Sequence, residues 1–448
     1  MTGTTPDSWS LLNAIQAADD QANALFEAAF QDDSTLDVLA QGWRQWAAFR
    51  ATVPPQLRLN DPGAADLGRG GEHPGGLGDD YPADMAEATR HGWSAAARGL
   101  AWQQSMVPFG FAQARELHGL AGELDAAPAP AFAPTPTEVV WSDGGLNLRR
   151  VHTRGEVTGS PILLISSLIN RWYVLDLLEG RSFLQMLAGL GRPLYLAQWL
   201  PPSEAADERS LSELCAGPLT AALNEVCAAH DADKANVIGY CMGGTLATML
   251  AARHPERVQR LATLCGPVDF AKGGLFTRWL SRRFLDVGLV ASAHERIPAA
   301  LVHLPFWSLR PTIKTSKLVR LARSFTRPGY LERFLALEIW NHDNVDMARG
   351  VFRSWAGDLY QDNALARGQV IIDGELAAPA RITCPVLAIS GSRDTITPPE
   401  SVEALVDLAG SESATVLRLD GSHTGLLTDG RHLASAAAAL ATWLETTP

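Results

Sequence analysis

Asn236-Val-Ile-Gly-Tyr-Cys-Met-Gly-Gly-Thr245 is an apolar run that enters Gly239-x-Cys241-x-Gly243 and continues as a helix-forming stretch. A strand that passes into a helix through so short a turn lifts its central side chain out of the backbone. The pattern is that of a nucleophile elbow, with cysteine in the place more often held by serine. The flanking glycines have a steric task. A turn this tight brings side chains at 239 and 243 against neighbouring backbone, and glycine removes the clash while tolerating the strained dihedrals. Cys241 then stands at a helix N-terminus, where free N–H groups and the helix dipole favour negative charge on sulfur. The backbone N–H of Met242 is placed to donate to an oxyanion. A small buried cysteine in an ordinary strand-to-helix turn would leave the same short signature, so the weight falls on partners elsewhere in the chain.

A thiolate nucleophile needs a base, and the base needs an orienting group. In elbow-containing sheets the chain order is nucleophile, acid, histidine. Downstream, the strand-like run Pro385-Val-Leu-Ala-Ile-Ser390 leads into Gly391-Ser-Arg-Asp394, and Thr415–Leu419 leads into Asp420-Gly-Ser-His423. Asp394 and His423 each follow a strand's carboxyl end, so both face the same edge of a sheet. Asp269 and Asp420 are rival acids, and Asp394 could instead cap the helix after it. His254, His294, His303 and His342 are rival bases, but His254 closes the elbow helix and the other three lie in an insertion. A second oxyanion donor is expected from the loop Leu164-Ile-Ser-Ser-Leu-Ile-Asn170, with the backbone N–H of Ile169 as the candidate.

Outward from the elbow, short apolar strands alternate with helical stretches from residue 137 onward. This alternation predicts an α/β-hydrolase fold, a mostly parallel sheet with helices on both faces. Residues 271–372 break the rhythm. They are helical, rich in Arg and aromatics, and offer no good strand before 370–372, so they read as a cap insertion. Residues 127–136, built largely from Ala and Pro, read as a semi-rigid linker. Residues 1–126 read as an N-terminal helical region, with helical spacing at 10–30, 35–50 and 84–124, a break near Pro108, and a Gly/Pro/Asp loop at 57–82. The catalytic domain therefore spans 137–448. Trp9, Trp43, Trp46, Trp93 and Trp102 suggest helix packing more than a partner surface.

Composition narrows the function. The 448 residues carry a net charge of −12, with 46% hydrophobic and 19% charged residues, which suits a folded domain and gives no basic footprint for nucleic acid. The beginning of the chain offers no signal-peptide pattern, and no window predicts a transmembrane helix. Five scattered cysteines (215, 227, 241, 265 and 384) lack metal or disulfide spacing, so no metal is expected. Together these imply a reducing, cytoplasmic setting in which a catalytic thiol stays usable.

Leu168-Ile-Asn-Arg-Trp-Tyr-Val-Leu-Asp-Leu177, then Gly180-Arg-Ser-Phe183, resembles the polyhydroxyalkanoate synthases. So do the elbow, Ile339-Trp-Asn-His-Asp-Asn344, Phe352-Arg-Ser-Trp355, Leu359-Tyr-Gln-Asp-Asn363, Ser392-Arg-Asp394 and Ser422-His423. The resemblance runs in order from 137 to 443. It departs at Thr395, where the family often has histidine. It implies a poly(3-hydroxybutyrate)-type acyltransferase in which Cys241 attacks 3-hydroxyacyl-CoA, His423 moves the protons, Asp394 orients His423, and a polyester grows with release of CoA. The CoA thioester is then substrate, and no cofactor is implied. The resemblance leaves room for a homodimer or a second synthase subunit, and for association with polymer granules. Arg282, Arg283, Arg320 and Arg323 could attract CoA phosphates or simply be solvated. Two alternatives remain from the residues themselves. One is a Cys-dependent hydrolase: a depolymerase, a thioesterase or an enzyme like dienelactone hydrolase. The other is an inactive granule-binding homologue, against which intact Cys241, Asp394 and His423 argue.

Overall fold

The computed structural model describes residues 83–105, 111–153, 157–202, 208–309 and 313–445, with helical residues 17, 18, 20, 21 and 24 before them. The helices expected at 10–30 and 35–50 and the loop at 57–82 fall wholly or largely outside the described residues. The chain divides into two compact units.

The larger unit holds the sheet. Among the described residues it has eight strands: β1 (Thr137–Ser142), β2 (Leu146–Val151), β3 (Ile162–Ile165), β4 (Leu194–Trp199), β5 (Ala235–Tyr240), β6 (Val258–Leu264), β7 (Val386–Gly391) and β8 (Ala414–Leu419). Their spatial order is β1-β2-β4-β3-β5-β6-β7-β8. From β4 to β8 all pairs are parallel, and β2 runs antiparallel to both β1 and β4. This is the mostly parallel sheet expected for the α/β-hydrolase fold. The central strands β3, β5 and β7 are buried throughout, as strands covered on both faces must be. The β1–β2 hairpin escaped the sequence reading because its strands carry Glu138, Arg149 and Arg150 among the apolar residues. Its turn is set by Asp143, whose Oδ1 accepts from the N–H groups of Gly145 and Leu146 at 2.8 Å each.

Register brings the strand ends together. Tyr240 of β5 lies opposite Leu264 of β6, Leu264 opposite Ile389 of β7, and Gly391 opposite Leu419 of β8. Cys241, Cys265, Asp394 and His423 follow these ends by one to four residues, so the topology delivers all four to the carboxyl edge, where open parallel sheets place their chemistry. The elbow helix, Met242–Arg253, is buried along Met242 to Ala252. Its first turn lies close against the strand ends, where a Cβ at Gly243 would meet the Ile165 carbonyl and one at Gly244 the backbone of Gly266.

The inserted region in this unit contains more strand than expected. Arg296–Ile297 pairs with Met347–Ala348, well before residue 370. Two-residue strands carry no periodic signal, which is why the sequence shows nothing there. The loop after β3 is tied to the insertion by an Asn170–Asn344 bridge, with Asn170 Nδ2 donating to Asn344 Oδ1 at 3.3 Å. The end of the Ala/Pro segment is anchored as well. The buried carboxylate of Asp176 accepts from the Thr135 N–H at 2.9 Å, the Thr135 hydroxyl at 2.7 Å and the Ser182 hydroxyl. Burial raises the Asp176 pKa despite these bonds.

The smaller unit joins helices Ala83–Ser105 and Phe111–Ala126 to helices Ile313–Ser324 and Tyr330–His342. The interruption expected near Pro108 lies outside the described residues. Trp93 packs edge-on against Phe334 with ring centroids 4.9 Å apart, so this tryptophan is core. Lys317 pairs with the buried Glu338 at 2.5 Å. The region read as a single cap over 271–372 is thus shared, with Phe306–Asp343 grouping with the N-terminal helices. Helical periodicity shows that a helix has an apolar face. It does not show which surface that face will cover.

Candidate active site

Cys241 holds φ 53° and ψ −124°, a left-handed conformation that L residues rarely adopt. The surroundings enforce it. The Cys241 N–H donates to the Leu264 carbonyl at 2.9 Å, so the ladder between β5 and β6 runs right up to Cys241. Gly244 N–H returns to the Cys241 carbonyl at 2.8 Å and starts the helix. A Cβ at Gly239 would run into the backbone of Gly243 and Gly244, and one at Gly243 would meet the carbonyl oxygens of Ile165 and Ser166. The second clash matters chemically. Only because residue 243 lacks a side chain can the loop after β3 approach the elbow. That approach brings the Ile165 and Ser166 carbonyls against Gly243, the residue after Met242. The Ile169 N–H, the second oxyanion donor expected from the sequence, donates to Ser167 Oγ at 3.3 Å, a long bond.

His423 and Asp394 are in direct contact. His423 Nδ1 lies 2.7 Å from Asp394 Oδ2 with both side chains buried. The carboxylate is fixed from the other side. Its Oδ1 accepts from the N–H groups of Ile396 and Thr397, each at 2.9 Å, and its Oδ2 accepts from the Thr397 hydroxyl at 2.8 Å. Burial opposes charge on both groups. For Asp394 the opposing effects of His423 and Thr397 prevail and hold its pKa below the usual carboxylate range. For His423 burial is likewise overcome, by the charge of Asp394 with contributions from Tyr240 and Cys241, and its pKa stands well above that of an ordinary histidine. The Tyr240 ring packs 5.4 Å from the imidazole, centroid to centroid. Its buried hydroxyl has no hydrogen-bond partner among the described residues.

The rival residues are employed elsewhere. Asp269 Oδ1 accepts from Asn363 Nδ2 at 2.9 Å and caps the turn at Ala271, while its Oδ2 pairs with Lys272 at 3.1 Å. Asp420 is exposed and bridges Ser392 and Arg393. His254 bonds the Thr220 hydroxyl at 2.9 Å, and His342 Nδ1 bonds the Glu338 carbonyl at 2.6 Å. His303 lies beside the backbone of Ile169, and burial pulls its pKa down to about 4. Arg282, one of the arginines considered for CoA, pairs with Asp362 at 2.7 Å.

Sequence reasoning passed over one member of the site. The Cys265 sulfur, an Asp394 oxygen and a His423 ring nitrogen all lie within 4.8 Å of one another. Cys265 follows β6 as Cys241 follows β5, and it too has a positive φ, 50°. Its only sequence signal was its place at the end of the apolar run 261–265, which no motif marks. Among the described residues these three groups are the ones close enough to share a metal ion. The 2.7 Å His423–Asp394 bond already uses the nitrogen and oxygen that face each other there.

A model of the alpha/beta hydrolase fold family matches residues 201–429, from before the elbow to past His423. The chain is 31% identical over 315 residues to a poly(3-hydroxyalkanoate) polymerase subunit PhaC of Thiocystis violacea, spanning 69% of this chain and 88% of the relative. The chain belongs to the polyhydroxyalkanoate synthase family of the α/β-hydrolase superfamily. The PhaC subunit of Allochromatium vinosum is likewise 31% identical, over 69% of this chain and 88% of that one. The Synechocystis PhaC subunit is 30% identical over 69% of this chain and 84% of its own length. Among the described residues, no helix is long and apolar enough to cross a membrane.

Proposed function

We propose that the protein polymerises 3-hydroxyacyl-CoA into polyester through an acyl-Cys241 intermediate. The observation that carries this reading is the buried His423–Asp394 pair set at the sheet edge beside a strained elbow cysteine, in a chain of the synthase family. Cys241 attacks the thioester carbonyl while His423 Nε2 accepts the thiol proton. The Met242 N–H, joined by the Ile169 N–H once it releases Ser167, stabilises the oxyanion. The C–S bond to CoA breaks, and the proton on His423 passes to the departing sulfur, so CoA leaves as the thiol. His423 then takes the proton of a 3-hydroxyl, and that oxygen attacks acyl-Cys241. An ester forms, the C–S bond to Cys241 breaks, and the proton on His423 returns to the cysteine sulfur. An acyl-thioester intermediate suits this exchange, because a hydroxyl displaces sulfur readily. Asp394 keeps the imidazole in the tautomer that presents Nε2 as acceptor. In this reading the reaction uses no cofactor beyond its CoA substrate, and the insoluble product makes the granule surface the working site.

Cys241 is assigned as nucleophile over Cys265 because it occupies the elbow tip and keeps some exposure, 8% against 0%. Supplied with 3-hydroxybutyryl-CoA, with and without a second synthase subunit, the protein should release CoA in step with insoluble polymer. CoA release accompanied only by free acid would make water the acceptor and refute the synthase reading. Cys241→Ala should abolish release, and Cys241→Ser should leave a small residue of activity because a hydroxyl ionises far less readily than a thiol.

A further inference from the structure

We propose that Cys265 is a positioning residue of this centre, its thiol donating to Asp394 and so holding the Asp394–His423 pair in working register. The inference rests on the reading of His423 as the base that serves Cys241. Three independent features support it. The sulfur shares a 4.8 Å cluster with the carboxylate and the imidazole. The residue is wholly buried at the end of β6, and its N–H donates to the Ile389 carbonyl of β7 at 2.8 Å, so it is fixed to the strand that carries Asp394. Its backbone stands at φ 50°, a conformation that costs free energy in a non-glycine residue. Each of the four groups at the sheet edge thus comes from a different strand, and Cys265 joins the nucleophile's neighbouring strand to the acid's.

The protonation state fits a donor. Burial, reinforced by the charge of Asp394, pushes the Cys265 pKa up to about 12, so the S–H persists across the working range. Asp394 already accepts from Ile396 N–H, Thr397 N–H, the Thr397 hydroxyl and His423, two at each oxygen, so a further donor must share an oxygen with one of them and must be a weak one. A thiol adds a weak, soft donor without a counter-charge. It shares the carboxylate's negative charge while leaving the imidazole free to move. The ionisable groups facing His423 are Asp394 from the loop after β7, Tyr240 and Cys241 from β5 and the elbow, Cys265 from β6, and Tyr360 from the helical segment Arg353–Gln361. Of these Cys265 is the one whose replacement alters the charge seen by His423 without touching the nucleophile, the acid or the wall.

Two substitutions separate hydrogen bonding from packing. Cys265→Val keeps an apolar side chain and removes the donor, whereas Cys265→Ser keeps a donor and loses volume and apolarity. CoA release from 3-hydroxybutyryl-CoA and iodoacetamide alkylation of Cys241, read by mass spectrometry of its peptide, are each measured against pH in the full-length protein. Cys265→Val should lower kcat about tenfold with KM within twofold. With the full carboxylate charge then facing the imidazole, the acid limb of CoA release should move to higher pH, and the alkylation profile should depart from that of the parent. Cys265→Ser should stay within threefold of the parent with its profile unmoved. The reverse ranking, with Val normal and Ser impaired, would mean a packing role and would overturn the proposal, as would a Val variant with parental kcat and profile. If Cys265→Val does not fold by circular dichroism, Cys265→Ala takes its place, with the same readouts and the same expected shifts. If the parent protein releases no CoA at all, the acyl-transfer reading fails, and the alkylation profiles still decide the role of Cys265.

Discussion

Asp394→Asn removes a charge from the centre of the site and leaves its shape intact. The carboxylate now accepts four hydrogen bonds, two at Oδ1 from backbone N–H groups and two at Oδ2 from the Thr397 hydroxyl and His423. An asparagine has one oxygen. That oxygen satisfies the two backbone donors, which cannot turn, and its NH2 therefore faces Thr397 and the imidazole. The Thr397 hydroxyl can rotate and accept. His423 can meet the NH2 only by presenting an unprotonated Nδ1, which moves its proton to Nε2, the nitrogen that must receive the proton of Cys241. A comparable change of tautomer in a triad costs about 10⁴ in kcat, and an effect of about 10³ to 10⁴ is expected here, or roughly 4–5.5 kcal/mol of transition-state stabilisation. Stability should fall by about 3 kcal/mol, the lower part of the range for breaking a buried ion pair, because the two backbone bonds survive.

The pH dependence carries a sign of its own. In the parent protein Asp394 raises the His423 pKa well above that of a free histidine, so activity, which needs the neutral base, should rise with pH through a value above about 6.5. The same shift contributes folding stability that is fully present below the unfolded pKa and is lost as pH rises through the folded one. In the Asn variant burial is opposed only by the smaller contributions of Tyr240 and Cys241, and the residual activity should shift its acid limb to lower pH. Rates of CoA release from pH 5 to 9 and thermal melts at the same pH values test this. A loss of less than tenfold with an unmoved acid limb would refute the argument that Asp394 sets the tautomer and the charge of His423.

Two other outcomes follow from the geometry. Gly243→Ala would place a Cβ against the Ile165 carbonyl and 2.7 Å from that of Ser166, pushing the loop after β3 off the elbow. It should cost about 1–3 kcal/mol in stability and about a hundredfold in kcat as an oxyanion donor is displaced, read by melting and single-turnover acylation. Thr397→Val removes one of the two Oδ2 partners of Asp394 and should lower kcat roughly tenfold while KM stays near the parent value, measured by steady-state CoA release.

Much of this was written in local sequence. Strands that are largely apolar and buried on both faces are legible as such, which is why β3 to β7 stand close to where the pattern put them, and the more exposed edge strand β8 was legible from Val416, Leu417 and Leu419. The elbow was legible because its glycines answer a short-range steric demand, and Asp394 and His423 because each closely follows a strand end. The β1–β2 hairpin was missed because its charged residues hide the alternation, and the Arg296–Ile297 pairing with Met347–Ala348 because two residues have no period. What the tertiary structure alone decided is contact across distance. It grouped Phe306–Asp343 with the N-terminal helices, since apolar periodicity does not name a partner surface. It set Cys265 against Asp394 and His423, because the lateral register of β6 between β5 and β7 is fixed by hydrogen bonds among strands far apart in sequence. The place of Cys241 was thus determined by residues 236–245 themselves, whereas the environment of His423 was determined by which strands became neighbours.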